Sequence, residues 1–314
     1  MAKEAVKNIA ASIRARLLNV AKIAGRDFDA VLLQYFQERF LYRLSVSPYR
    51  QQLILKGALL FLAYEMSLLR TTRDIDFLGS ATSNDLDETR GIIRAIARID
   101  CADGVAFDDN SVTVERITED ADYHGVRVKL EARMTAARKV LQLDIGFGDV
   151  VVAGPVEMDF PVLLDDQQRP HLVVYSRESA IAEKFEALVS LNLLTSRMKD
   201  IYDILHLAER EIFSLATLRQ ALMATFSRRL TLIEDRRLVF SPSLQRTRIK
   251  RLNGTLSCAV AAWSYCIPSL KRWPDLRSLW SRSVRQRKVI TQHGVRKSGD
   301  GDKTSITIIR VTYG

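Results

Sequence analysis

Residues 70–77 read Arg70-Thr71-Thr72-Arg73-Asp74-Ile75-Asp76-Phe77, and the alternation inside this stretch decides the fold. Asp74 and Asp76 share one face of an extended segment while Ile75 and Phe77 turn to the other, the period of a half-buried strand. Strand geometry sets the two carboxylates about 7 Å apart along the chain. Paired hard oxygen donors of this kind form a platform for divalent cations, and two ions about 4 Å apart need carboxylates to share. A D-x-D taken alone reads as a solvated strand face, so its meaning rests on what surrounds it.

Upstream, Gln51 to Gly57 is short, apolar and ends in glycine, a strand running into a turn, and Ala58 to Leu69 is apolar around most of its circumference, a buried helix. Two more helices precede these. Residues 5–24 carry Ile9, Ile13, Leu17 and Val20 on one face, and Arg26 to Ser45 repeats Phe28, Val31, Leu32, Tyr35, Phe36, Phe40 and Leu44 at helical spacing. Downstream, a helix at Asp85 to Ile99 leads to three alternating runs, Ser111 to Ile117, Gly125 to Met134 and Lys139 to Phe147. In the last of them Asp144 is the only acid in an otherwise apolar strand, costly to bury without a partner, and so the expected third carboxylate.

A stretch punctuated by Gly154, Pro155, Pro161 and Pro170 precedes one more strand, His171 to Tyr175, before the chain turns helical. Ser176 or Ser179 is placed to cap a helix reaching about Leu194, and further helices are expected at Arg197 to Arg210 and Ser214 to Phe226. The pattern predicts an α+β protein: an α/β domain with N-terminal helices over residues 1–175, a helical domain over 176–243 and a basic tail over 244–314.

The formal charge of +10 divides unevenly. Residues 1–240 hold 32 Lys+Arg and 34 Asp+Glu, a net of −2, whereas residues 241–314 hold 15 and 3, a net of +12. A basic surface on the main domain is therefore not implied, and an acidic partner has to be gripped locally or by the tail. That tail carries Trp263, Trp273, Trp280, Cys258 and Cys266, out of keeping with a disordered arm, and reads better as an out-of-frame replacement of an ordinary domain end. No 18-residue apolar run occurs, and the longest candidate, Leu53 to Met66, is broken by Lys56. Three cysteines and four histidines lack zinc or disulfide spacing, which fits a reducing cytoplasm and no membrane contact.

Three further features give the D-x-D its meaning: a Lys56-Gly57 turn one helix earlier, Thr72-Arg73 abutting it, and the later strand with Asp144. This order resembles polymerase β-type nucleotidyltransferases. The closer resemblance, over residues 8–243, is to the AbiEii-like nucleotidyltransferase toxins. It rests on Leu55-Lys56-Gly57-Ala58, on residues 70–77, on Gln142-Leu143-Asp144-Ile145-Gly146, and on Ala182-Glu183-Lys184 with Arg197-Met198-Lys199-Asp200-Ile201-Tyr202-Asp203. Ala58 departs from the Gly or Ser usual in the wider superfamily.

The resemblance implies a mixed sheet of the polymerase β type with a C-terminal helical half that closes the nucleotide cleft. It implies two Mg²⁺ ions on Asp74, Asp76 and Asp144, and an NTP substrate contacted by Lys56, Gly57, Thr72, Arg73, Lys184 and Lys199. Asp200 becomes a required acid, tRNA a possible acceptor and a winged-helix antitoxin the genetic partner. A metal-dependent nuclease and a nucleotide-binding member without activity are the alternatives.

Overall fold

The computed structural model describes residues 8–64, 72–120, 123–190, 200, 203–204, 207–208, 211, 213–232, 292–293 and 308–309. Most of the predicted helix from Arg197 to Arg210, Lys199 itself, the far end of the helix expected to reach Leu69, and nearly all of the tail lie outside them; the described residues 200, 203–204 and 207–208 are helical, as expected. The chain divides into two compact units, residues 1–149 with 154–175, and residues 150–153 with 176–314.

The first unit is built on one mixed sheet. Helices α1 (Ile9–Ile23) and α2 (Phe28–Ser45) lead to strand β1 (Leu53–Lys56), helix α3 (Gly57–Ala63) and strand β2 (Asp74–Gly79). Helix α4 (Leu86–Ala97) follows, then β3 (Ala106–Asp120), β4 (Tyr123–Met134), β5 (Ala137–Phe147), β6 (Val156–Asp159) and β7 (His171–Val174). The strand order is β3-β4-β5-β2-β1-β7-β6, with β2 parallel to β5, β1 parallel to β7 and the other pairs antiparallel.

One face of this sheet is core. Ile75 and Phe77, Leu141, Leu143 and Ile145, and Val126, Val128 and Leu130 are all buried, and α1, α2 and α4 pack on the sheet. The sheet starts and bends where sequence periodicity is silent. Strand β3 begins at Ala106, five residues before the alternating run, because a bulge between Asp108 and Thr113 lets pairing continue through a polar segment. Strand β6 has no counterpart among the strands expected from the sequence. It is an edge strand flanked by Pro155 and Pro161, a position where a missing N–H costs no ladder bond.

Helix α2 carries charge where periodicity shows only its apolar residues: Gln37, Glu38, Arg39 and Arg43 are buried. Arg43 grips the 99–105 loop, donating to both Asp103 carboxylate oxygens at 2.6 and 3.2 Å and to the carbonyls of Ile99 and Val105. Glu38 accepts from the Leu163 N–H at 2.7 Å, and Arg39 donates to the Gln168 carbonyl, so the 160–170 loop is pinned to the same helix. Gln37 donates to the carbonyls of Thr72 and Arg73, fixing the segment that feeds β2.

Burial pushes the Glu38 carboxyl up to about 7 against the pull of Arg39 and the Leu163 N–H. A carboxyl whose folded-state pKa is raised binds its proton more tightly in the native protein. Its contribution to stability is therefore fullest at acid pH and declines as pH rises through 7. Wild type is expected to lose about 2 kcal/mol more stability than Glu38→Gln between about pH 5.5 and 8.5. Parallel denaturant unfolding of the two proteins checks this, and equal pH slopes would refute it.

The second unit pairs α5 (Arg177–Ser190) with α6 (Leu215–Arg228), Phe185 meeting Phe226 at 5.8 Å between ring centroids. Ser176 caps α5, its Oγ accepting from the Ser179 N–H, and Ser179 in turn takes the Val152 N–H. The turn after α6 is tied back by Glu186, which is buried and accepts from Arg229 and from the Thr231 hydroxyl. Gln292–His293 pairs with Ile308–Ile309. No helix among the described residues is long and apolar enough to cross a membrane.

Candidate active site

Register brings the predicted carboxylates together. Asp76 lies directly opposite Asp144 across the parallel β2–β5 pair, Lys56 lies opposite Asp76 on β1, and Arg127 lies opposite Asp144 on β4. Residues paired across a ladder point to the same face, so four neighbouring strands place Lys56, Asp76, Asp144 and Arg127 in one row, about 5 Å per step. Two anions stand in the middle with a cation at either end. Asp74 sits on the same face one step along β2, opposite Gln142.

Gly57 has a φ of +68°. A Cβ there would overlap Asp76 Oδ2 and stand 2.6 Å from both Cβ and Cγ of Asp76. The glycine therefore admits the Asp76 carboxylate to the β1–α3 turn, a steric reason beyond the approach of a phosphate.

The three carboxylates are held differently. Asp74 is half-buried, and among the described residues no side chain or N–H donates to its carboxylate; burial pushes that carboxyl upward and nearby Asp144 adds to the push, against Arg127 and Arg73. Asp144 is clamped. Arg127 donates from Nε to Oδ1 and from Nη2 to Oδ2, both at 2.8 Å, and Gln142 adds a bond to Oδ2 at 3.3 Å.

The remaining predicted residues of the first unit are placed as follows. Lys56 is buried, with Nζ 2.7 Å from Asp149 Oδ2 and 5.4 Å from the Tyr175 ring centroid. Thr72 is buried, its hydroxyl 3.5 Å from the Asp74 carbonyl, and Arg73 is exposed beside Asp74. Arg127 and Asp149 are site residues that the sequence pattern does not single out. Alternation in Gly125-Val126-Arg127-Val128 puts Arg127 on a polar face, but only the register of β4 on β5 reveals its partner.

In the second unit Lys184 Nζ lies 3.1 Å from Asp200 Oδ1 and 2.7 Å from Asp203 Oδ2, all three side chains nearly buried. Lys184→Met would remove the charge that both carboxylates share and is expected to cost about 3 kcal/mol of stability. An unchanged unfolding midpoint would show that the lysine is not needed for folding.

Hard carboxylate oxygens suit Mg²⁺, and Asp74, with its lone pairs unused, and Asp76 beside it fit that ion. Among the described residues no group of three or more His, Cys, Asp or Glu side chains gathers as a metal cage. The family description "Nucleotidyl transferase AbiEii toxin, Type IV TA system" matches residues 39–257. The chain belongs to this family.

The AbiEii assignment makes the chain a nucleotidyltransferase of a toxin–antitoxin system, as the resemblance implied. No curated protein matches it. Solved structures similar to it include a candidate nucleotidyltransferase from H. pylori, at 17% identity and a TM-score of 0.40, covering 81% of this chain and 98% of that one. JHP933 from Helicobacter pylori matches at 18% identity and a TM-score of 0.42, covering 82% and 98%.

Proposed function

We propose that this AbiEii-family chain transfers NMP from an NTP to a hydroxyl of an RNA acceptor, tRNA being the one the resemblance suggests, in a Mg²⁺-dependent reaction. The observation that carries the reading is the in-register row on one sheet face, where Asp76 and Asp144 lie side by side between two cations and Asp74 sits one step along β2 on the same face. Asp74 and Asp76 bind and orient the NTP through its metal. Mg²⁺, when bound, supplies charge neutralisation for the triphosphate and acidifies the attacking hydroxyl.

The acceptor oxygen forms a bond to the α-phosphorus as the bond to the β-phosphate oxygen breaks, pyrophosphate leaves, and the hydroxyl proton passes to solvent. Arg73, exposed at the start of β2, adds positive charge beside Asp74. Lys56, tied to Asp149, contributes as a fixed charge next to Asp76. The resemblance adds Gly57, Thr72, Lys184 and Lys199 as nucleotide contacts, Asp200 as a required acid and a winged-helix antitoxin as the genetic partner, and the cysteine pattern fits a cytoplasmic setting.

The test is incubation of the full chain with total bacterial RNA, Mg²⁺ and each of the four α-³²P-labelled nucleoside triphosphates in turn. Label in RNA of tRNA length with one nucleotide supports the reading and names the base. Label in no RNA with any nucleotide, from folded protein, refutes it.

A further inference from the structure

Among the described residues three hydrogen bonds reach the Asp144 carboxylate. An ionised carboxylate offers about four lone-pair sites. Arg127 takes one on each oxygen and Gln142 takes a second on Oδ2, which leaves a single site, on Oδ1. A carboxylate shared between two metal ions needs more than that. Any dication approaching the remaining site would also meet the guanidinium already bound to the same group, and like charges so close repel.

The clamp is built into the sheet. Arg127 and Asp144 are direct cross-strand partners, Gln142 shares the strand and the face of Asp144, and the pairing of β4 with β5 runs unbroken from Val126 to Met134.

We infer that Arg127 stands in the place of a second metal ion, neutralising Asp144 permanently, so that the site takes one divalent ion on Asp74 and Asp76 rather than two. This rests on the reading of Asp74 and Asp76 as metal ligands. Arg127 is then a positioning residue. It fixes Asp144 with Oδ1 as its one open acceptor, beside the residue that binds the nucleotide's metal.

The probe is Mn²⁺, and the readout is the number of ions bound per full-length chain by electron paramagnetic resonance, taken as the difference from Asp76→Ala measured in parallel. Wild type is expected to bind one ion. Arg127→Gln, which gives up the charge and the fork, is expected to bind two, Arg127→Lys one, and Arg127→Gln combined with Asp144→Asn one. Two ions in the wild type overturn the inference without recourse to any variant, as does one ion in Arg127→Gln. No difference between wild type and Asp76→Ala overturns the metal-ligand reading beneath it, a failure the other outcomes do not resemble.

Discussion

Asp76→Ala is expected to lower nucleotide transfer by at least about 10³-fold while the protein stays folded. Asp76 stands in register with both a cation and a second carboxylate, Lys56 on β1 and Asp144 on β5. Truncating it removes a carboxylate proposed above as a ligand of the nucleotide's metal. It also removes one negative charge from a face where burial and Asp144 already push the Asp74 carboxyl upward. The ion pair of Lys56 with Asp149 remains, and the expected change in unfolding midpoint is small beside the loss of transfer. Label transfer at saturating NTP, read beside a thermal melt, separates the two effects, and a variant within tenfold of wild type would remove Asp76 from the chemistry.

Gly57→Ala should damage stability and transfer together. The left-handed backbone at Gly57 costs any L side chain about 1 kcal/mol or more. The added Cβ would in addition overlap the Asp76 carboxylate, so β1, α3 or Asp76 must move. The expected loss is about 3 kcal/mol, with transfer reduced more steeply than the folded fraction. Gly25→Ala supplies the control, because Gly25 has a φ of +60° and nothing within 4 Å of a Cβ placed there. It carries the backbone strain without the overlap. If the two variants lose equal stability, contact with Asp76 is not what requires glycine at position 57.

Much of the site was legible because strand alternation is a local signal. Asp74-Ile75-Asp76 fixes its own faces, and the lone acid in Leu141-Gln142-Leu143-Asp144 announces a neighbour. What stayed hidden depends on register and on distant loops. Nothing in Gly125-Val126-Arg127 tells which residue of β5 it will face, so the clamp on Asp144 could not be read, nor could the pairing of Lys56 with Asp149, 93 positions away. Apolar spacing suffices to find helix α2, yet the same spacing is blind to Glu38, Arg39 and Arg43, whose burial is compensated in large part by the distant loops 99–105 and 160–170. Strand β6, Val156-Glu157-Met158-Asp159, alternates over too short a run to stand out, and the prolines flanking it argue for a loop.

The order of strands also bears on how the protein comes into being. Strand β2 lies between β1, made shortly before it, and β5, which ends at Phe147. A chain emerging from the ribosome can pair β1 with β2 early, but Asp76 has no Asp144 beside it until some seventy further residues have been synthesised and β4 has closed on β5. Premature termination anywhere before that point yields a fragment without the row. For a toxin this is a built-in delay: on the proposed function the nascent polypeptide lacks its paired carboxylates through the first half of translation, and the row is completed only once the sheet closes around it.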